Sequence, residues 1–178
     1  DLAAEYGLDC EPTIEALASR DDIDAVIVTT PHALHADHTL VAIQAGKHVL
    51  VEKPLELTLE KCDAIIQAAE NAEVKLMVAQ SHRYWEGDAV AKRLLEEGAI
   101  GQLLICRDTL AGSGYRRHNP DKGWFTDLDL YGPGGLIAWG VHNTDRLLWW
   151  FDSDADWVFA RSYGLRSEVP EDITTNML

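Results

Sequence analysis

The chain has 178 residues, of which 47% are hydrophobic and 25% charged, so it can bury a sizeable core and is not a disordered segment. Thirty acidic and fifteen basic side chains give a formal net charge of −15, which argues against nucleic acid or an anionic membrane surface as a partner. Three widely spaced cysteines, with no CxxC pair, argue against a disulfide framework or a thiolate zinc site and favour a reducing cytoplasm.

The first half of the chain alternates helical segments with β-branched runs. Helices are predicted at residues 1–6, 13–19, 36–45 and 58–72, and strands at residues 24–30, 48–51 and 75–79. The run at 24–30 is continuously β-branched, which is typical of a strand buried on both faces of a parallel sheet, and 48–51 is predicted as the next buried strand. Strands separated by helices predict right-handed crossovers, hence part of a doubly wound parallel sheet with its ligands at the carboxyl ends of the strands.

The second half predicts a different, mixed architecture. A helix over residues 86–97 ends at Gly98, and residues 102–109 alternate like an antiparallel strand. A long loop is predicted at residues 111–135, a helix at 136–151, and strands at 156–163 and 173–178. We place a boundary near Gly101, with a partial doubly wound domain at 1–100 and a partial α+β domain with an open mixed sheet at 101–178.

The run VLVEKP places Glu52 and Lys53 at the carboxyl end of a predicted strand, and Pro54 ends that strand. A lysine held there over a bound nicotinamide can donate a hydrogen bond to a substrate oxygen and stabilise a developing alkoxide. A solvated lysine beside a turn explains the tripeptide equally well.

The run TTPHALH follows the preceding strand and places Thr30, Pro31 and His32 at the neighbouring strand end, where they could line a dinucleotide. Together with His35 and His38, His32 also forms a three-residue spacing that a metal site can use. No acidic or thiolate ligand completes that set, so we favour polar capping of a helix and predict no metal.

The run GGLIAWGVHNTD begins with glycines and leads into the helix that carries His142 and Asp145 at positions i and i+3. His142 could exchange the hydroxyl proton of a substrate while hydride leaves the same carbon, and Asp145 could orient its imidazole. The alternative is a buried histidine between helices and a surface carboxylate.

These three segments, in this order and spacing, closely resemble the Gfo/Idh/MocA oxidoreductase family, and the similarity spans essentially all 178 residues. The runs AAEYGL, DDIDAVIVTTP, AIQAGKHVLVEKPL and KLMVAQSHRYW resemble further family blocks. The resemblance implies an NAD- or NADP-binding Rossmann domain, followed by a substrate domain whose sheet commonly forms homodimers or homotetramers.

The resemblance also assigns residues to roles. The nicotinamide-side loop of the family is matched by Thr30, Pro31, His32 and His35. Glu52 and Lys53 match its EKP site, and Arg83 matches its NxRF-like block. Lys53 and His142 match the catalytic lysine and histidine of the family.

The chain departs from the family pattern in three places. The glycine-rich phosphate loop and the residue that selects NAD or NADP are expected to precede Asp1. Ala138 stands where an acidic residue is often found, four positions before His142. His32 and His82 stand where asparagine is common.

The predicted long loop supplies candidates for substrate contact. Tyr115, Arg116 and Trp124 combine aromatic faces that can cover a sugar ring with a guanidinium that binds carboxylates or phosphates. Ordinary interface surface is the alternative for this loop.

We therefore expect a cytoplasmic enzyme that moves a hydride between a nicotinamide and the carbinol carbon of a sugar, polyol or related cyclic hydroxy compound. A non-catalytic, dinucleotide-binding regulatory protein on the same scaffold is the alternative. The substrate, the direction of reaction and the choice between NAD and NADP stay open.

Overall fold

The computed structural model describes residues 2–109, 123–125, 127–132, 136–164 and 173–177. The chain divides into two compact units, Asp1–Ala79 and Gln80–Leu178. This division comes earlier in the chain than the domain boundary predicted near Gly101. A division of the chain by its internal contacts does not locate a domain boundary, so the boundary near Gly101 remains a prediction.

The first unit is a three-stranded parallel sheet with helical connections. Its helices are α1 Leu2–Tyr6, α2 Ile14–Ala18, α3 His35–Gln44 and α4 Leu59–Asn71, with a 3-10 turn at His32–Leu34. Its strands are β1 Ala25–Val28, β2 His48–Val51 and β3 Leu76–Val78, in the order β1-β2-β3. The predicted α/β class with a parallel sheet is confirmed.

A threonine and a glycine mark helix ends in the first unit. Thr58 caps α4, because its Oγ1 accepts a hydrogen bond from the backbone N–H of Lys61 at 3.3 Å. Gly46 follows α3 with a φ of +74°, a backbone conformation that residues with a Cβ rarely adopt. The chain can therefore turn directly from α3 into β2.

The sheet of the first unit is covered on one face only, so the predicted burial on both faces is wrong. Val26 and Val28 are buried with their partners Val49 and Val51, whereas Ile27, which points to the opposite face, is 66% exposed. The reason lies in the strand order. Two successive crossovers of the same hand place both connecting helices on the same side of a β1-β2-β3 sheet, and α3 and α4 pack against each other.

The described residues of the second unit form helices and one antiparallel strand pair. A 3-10 turn at Ser81–Tyr84 is followed by α5 Glu86–Glu96, α6 Leu128–Tyr131, a π-helical turn at Leu136–Gly140 and α7 Val141–Phe151. The strands are β4 Ala160–Gly164 and β5 Ile173–Met177. The predicted helix at 136–151 therefore begins as a π-turn, and the predicted loop at 111–135 contains α6.

Residues 102–109 do not form the predicted strand. A strand needs a hydrogen-bonded neighbour, and this segment pairs with no other in the described part of the chain; Leu104 and Ile105 are exposed. The segment is held by side chains instead. Arg146 of α7 pairs with Asp108 at 2.5 Å and with Asp88 of α5 at 3.4 Å.

Within the described residues, none of the helices combines the length and the apolar character needed to cross a lipid bilayer.

Candidate functional site

The carboxyl ends of β1 and β2 lie at one edge of the first unit's sheet. The two strands are parallel and in register, with Val28 opposite Val51, and the backbone N–H of Glu52 donates to the carbonyl oxygen of Val28 at 2.9 Å. The loop after β1 carries Thr30, and the loop after β2 carries Lys53. The two loops therefore lie side by side at one edge of the sheet, as predicted, and that this edge faces a ligand stays a prediction.

Lys53 is partly buried at this edge. Burial lowers the pKa of its ammonium group, and the neighbouring carboxylate of Glu52 opposes part of this effect. Glu52 is itself anchored, since its Oε2 accepts a hydrogen bond from the backbone N–H of Lys53 at 3.1 Å. An ammonium group with a lowered pKa gives up its proton more readily than an ordinary lysine, which suits a hydrogen-bond donor to a substrate oxygen.

His35 lies beneath the two loops and is completely buried. Its Nδ1 is 2.7 Å from the carbonyl oxygen of Pro54, and its Nε2 is 2.9 Å from the carbonyl oxygen of Thr30. Both ring nitrogens of His35 therefore face main-chain carbonyls inside the protein. The cofactor contact predicted for His35 stays a prediction.

The other two histidines of the TTPHALH segment also make internal contacts. The ring of His32 is buried and meets that of His35 edge to face, with 5.7 Å between centroids. Nδ1 of His38 lies 3.0 Å from Oγ1 of Thr30. In the described part of the chain, no group of three or more histidine, cysteine, aspartate or glutamate side chains is placed to hold a metal ion.

Glu56 is a buried residue of this region that the sequence analysis missed. Its Oε2 accepts a hydrogen bond from the backbone N–H of Ala36 at 3.1 Å, and its Oε1 accepts one from that of Leu57 at 2.7 Å. Lys61 pairs with the same carboxylate at 3.6 Å. A carboxylate at the first turn of α3 is favoured by the unpaired N–H groups and the dipole of the helix. The sequence offers only the nearby Lys61 as a signal.

In the second unit, His142 lies in the first turn of α7 and is buried. Its ring stacks on that of His82, with centroids 4.1 Å apart and planes 5° from parallel. The ring of His82 also stacks on that of Trp85, with centroids 3.8 Å apart. The sequence marked His82 only as a departure from the family pattern, and its contact with His142 comes from the fold.

Asp145 pairs with Arg83, not with the histidine it was predicted to orient. Its two oxygens accept hydrogen bonds from Nε and Nη2 of Arg83 at 2.8 and 2.7 Å. These bonds raise the pKa of Arg83, and the guanidinium also lies 5.6 Å from the ring of Trp149. Both carboxylate oxygens are therefore engaged by Arg83, which the sequence had assigned to the cofactor.

Of the remaining residues that the sequence singled out in the second unit, the structure describes Ala138 and Trp124. Ala138 is 1% exposed and lies in the π-turn that leads into α7. Trp124 stacks on Phe125 at 4.1 Å and lies 5.8 Å from the ring of Tyr131, within an aromatic cluster. The other two predicted substrate contacts, Tyr115 and Arg116, lie outside the described residues.

Comparison with known proteins gives two family matches. The model for the oxidoreductase family with an NAD-binding Rossmann fold, GFO_IDH_MocA, matches residues 1–80. The model for the GFO/IDH/MocA C-terminal domain matches residues 89–178.

Two curated relatives and one solved structure show the same relationship. The chain is 32% identical over 144 residues to 2,7-anhydro-N-acetylneuraminate hydratase from Mediterraneibacter gnavus, covering 81% of this chain and 37% of that protein. It is 34% identical over 137 residues to scyllo-inositol 2-dehydrogenase (NADP(+)) IolW from Bacillus subtilis, covering 76% and 37%.

The crystal structure of aldose-aldose oxidoreductase from Caulobacter crescentus, complexed with glycerol, superposes with a TM-score of 0.82 at 26% identity, over 99% of this chain and 54% of that one. The chain thus spans between about a third and about a half of the length of these proteins. Since the two family models together match almost every residue, the chain belongs to the GFO/IDH/MocA oxidoreductase family.

Proposed function

We propose that the natural full-length protein carrying this sequence is an NAD(P)-dependent oxidoreductase. It transfers a hydride to or from the carbinol carbon of a sugar, polyol or related cyclic hydroxy compound. The observation that carries the proposal is the placement of Lys53, partly buried, with a lowered pKa, at the carboxyl end of a parallel strand. Membership of an oxidoreductase family and an inositol dehydrogenase among the relatives support the substrate class.

We propose that Thr30, Pro31 and Glu52, which are partly exposed, contact a dinucleotide at the edge where α/β sheets bind nucleotides. His32 carries the same prediction, although its ring is buried against that of His35. NAD or NADP, when bound, accepts or supplies the hydride. The chain's own side chains must then bind the substrate oxygen and handle its proton.

Lys53 donates a hydrogen bond to the substrate oxygen and stabilises the negative charge that develops there as the carbon–hydrogen bond breaks. In the direction of oxidation, Nδ1 or Nε2 of His142 takes the hydroxyl proton, the carbinol carbon loses hydride and the carbonyl forms. In the direction of reduction, the same histidine returns the proton to the oxygen. This division of roles is part of the proposal, since Lys53 and His142 belong to different compact units.

The test uses the full-length protein, with dinucleotide binding and turnover measured separately. NADH and NADPH are titrated by nicotinamide fluorescence, and turnover is followed with a panel of polyols and sugars. We expect saturable binding and turnover in the wild type, and a fall of kcat by about two to four powers of ten in Lys53→Met. The matched control is Lys75→Met, an exposed lysine before β3. Equal turnover in wild type and Lys53→Met would contradict the proposal.

One observation favours a second function, that of a non-catalytic protein which binds a dinucleotide and regulates a partner. Ala138, buried one helical turn before His142, cannot relay a proton or contact a substrate hydroxyl as the acidic residue often found there can. Saturable dinucleotide binding without turnover on any polyol or sugar would support this alternative.

We further propose a cytoplasmic location and a homodimer or homotetramer formed through the sheet of the second domain, residues 101–178. Cys10, Cys62 and Cys106 are all free thiols, which suits a reducing compartment. Large apolar side chains stand exposed beside β4, including Trp157 and Phe159. Sedimentation of the full-length protein tests the oligomeric state.

A further inference from the structure

The imidazole of His35 bridges the two loops that lie at the ligand-facing edge of the sheet. Its nitrogens lie 2.7 Å from the carbonyl oxygen of Pro54 and 2.9 Å from that of Thr30. Carbonyl oxygens only accept hydrogen bonds, so a neutral imidazole donates to one of them and an imidazolium donates to both. The imidazolium therefore ties the loop after β1 to the loop after β2, whereas the neutral ring bonds one of the two loops to the start of α3.

A second buried side chain strengthens the same connection from the opposite direction. Glu56, in the loop after β2, accepts the hydrogen bond of Ala36, the residue that follows His35. His35 therefore reaches from α3 to the β2 loop, and Glu56 reaches from the β2 loop back to α3. The two links join residues 19 and 20 positions apart in the chain.

Lys53 lies in the chain between Glu52, whose N–H is bonded to β1, and Pro54, whose carbonyl is bonded to His35. We propose that His35 is a positioning residue for Lys53, which fixes the main chain of the EKP segment against the loop after β1. The catalytic consequence rests on the function proposed above, whereas the mechanical link does not.

Volume filling alone does not account for a histidine at this position. Burying a polar ring costs free energy that an apolar side chain of similar size avoids, unless the ring makes hydrogen bonds. Thr39 offers a matched comparison on the same helix, one turn further on. It is also completely buried, but among the described residues its hydroxyl has no hydrogen-bond partner. Thr39→Val therefore changes a buried side chain of α3 without removing a hydrogen bond to either loop.

The first experiment compares kcat and dinucleotide affinity in full-length His35→Phe, His35→Gln and Thr39→Val. Phenylalanine keeps a ring and removes both donors, whereas glutamine keeps an amide that can donate to one of the carbonyls. We expect His35→Phe to lower kcat by on the order of tenfold to a hundredfold, because small misplacements of a reacting group are costly. The dissociation constant of NADH should rise by a smaller factor than kcat falls, and His35→Gln should recover part of both losses.

Thr39→Val should retain the wild-type kcat. Circular dichroism and a thermal midpoint show whether each variant is folded, and if His35→Phe is not, His35→Gln decides. A folded His35 variant with the wild-type kcat, or a loss that appears equally in dinucleotide affinity and in Thr39→Val, would overturn the inference.

The second experiment measures the link without relying on catalysis. Competitive acylation of lysines at a series of pH values, read by mass spectrometry, reports the pKa and exposure of Lys53 beside the reference Lys75. In the wild type, burial lowers the pKa of Lys53. If His35 holds the loop, its replacement by phenylalanine should raise this pKa toward the ordinary value and increase the labelling of Lys53, whereas Thr39→Val should change neither.

The two readouts separate the two proposals. A change of Lys53 labelling in His35→Phe, in a protein without oxidoreductase turnover, would retain the positioning role and reject the function. Wild-type turnover that depends on Lys53, together with unchanged labelling and unchanged kcat in His35→Phe, would retain the function and reject the positioning role.

Discussion

The strand-end loops of the first unit and the start of α7 in the second unit both carry residues assigned to chemistry, but they are organised by different contacts. In the first unit, buried side chains bind main-chain atoms of another loop, as His35 binds Thr30 and Pro54. In the second unit, side chains bind side chains, through the ring stack of His82 and His142 and the ion pair of Arg83 and Asp145.

These two kinds of contact predict how each region responds to substitution. A side chain that holds main-chain carbonyls or N–H groups fixes the path of the backbone, so its loss should move every residue of the loop. A stacked ring or an ion pair fixes one partner side chain and leaves the helix in place. We therefore expect substitutions in the first unit to act more broadly than comparable ones in the second.

The largest effect is expected at His142 itself. His142→Gln removes the group proposed to exchange the substrate proton, and kcat should fall by about two to four powers of ten. Dinucleotide affinity should stay near the wild-type value, which fluorescence titration checks. A retained kcat would show that His142 is a buried structural residue of α7 and that the proton leaves by another route.

The next largest effect is expected from replacing Glu56, whose carboxylate binds backbone N–H groups in the first unit. Glu56→Gln places an amide N–H2 against one of two backbone N–H groups, so a buried hydrogen bond is lost. The free energy of unfolding should fall by about 1–3 kcal/mol, measured by urea denaturation. The control is Asp63→Asn on the exposed side of α4, for which a change within about 0.5 kcal/mol is expected. Equal effects in the two variants would contradict a stabilising role for the hydrogen bonds that Glu56 accepts from Ala36 and Leu57.

A smaller effect is expected from the ring stack of the second unit. A double-mutant cycle with His82→Asn and His142→Gln should give a coupling free energy of about 0.5–1.5 kcal/mol in urea denaturation. The thermal stability of each single variant serves as the check that α7 remains folded. Additive single effects would mean that the stacked rings do not stabilise each other.

The smallest effect should come from Asp145→Asn. Arg83 and Asp145 are partly exposed, so loss of the ion pair should cost up to about 1 kcal/mol of unfolding free energy, less at high salt. The dependence of kcat on pH should keep the wild-type shape, since the carboxylate is engaged by Arg83. A changed pH profile of kcat would restore the orienting role that the sequence predicted for Asp145.

The sequence predicts the strand ends well, because β-branched runs that stop at Pro31 and Pro54 determine where β1 and β2 deliver their polar residues. It misses the one-sided burial of the sheet, because Ile27 and Val28 have the same apolar character and only the strand order decides which face the helices cover. It also misses Glu56 and the stack of His82 on His142, because each depends on a contact between segments distant in the chain. Residues 102–109 alternate like a strand, yet alternation cannot supply the neighbouring strand that a ladder requires.

Isotopic labelling shows directly whether the protein moves a hydride between a carbinol carbon and a nicotinamide. A polyol deuterated at its carbinol carbons is incubated with the full-length protein and NAD or NADP, and the reduced nicotinamide is examined by mass spectrometry. We predict deuterium in the reduced nicotinamide, formed far more slowly by Lys53→Met. Saturable dinucleotide binding without deuterium transfer from any polyol or sugar would contradict the claim and leave the regulatory alternative.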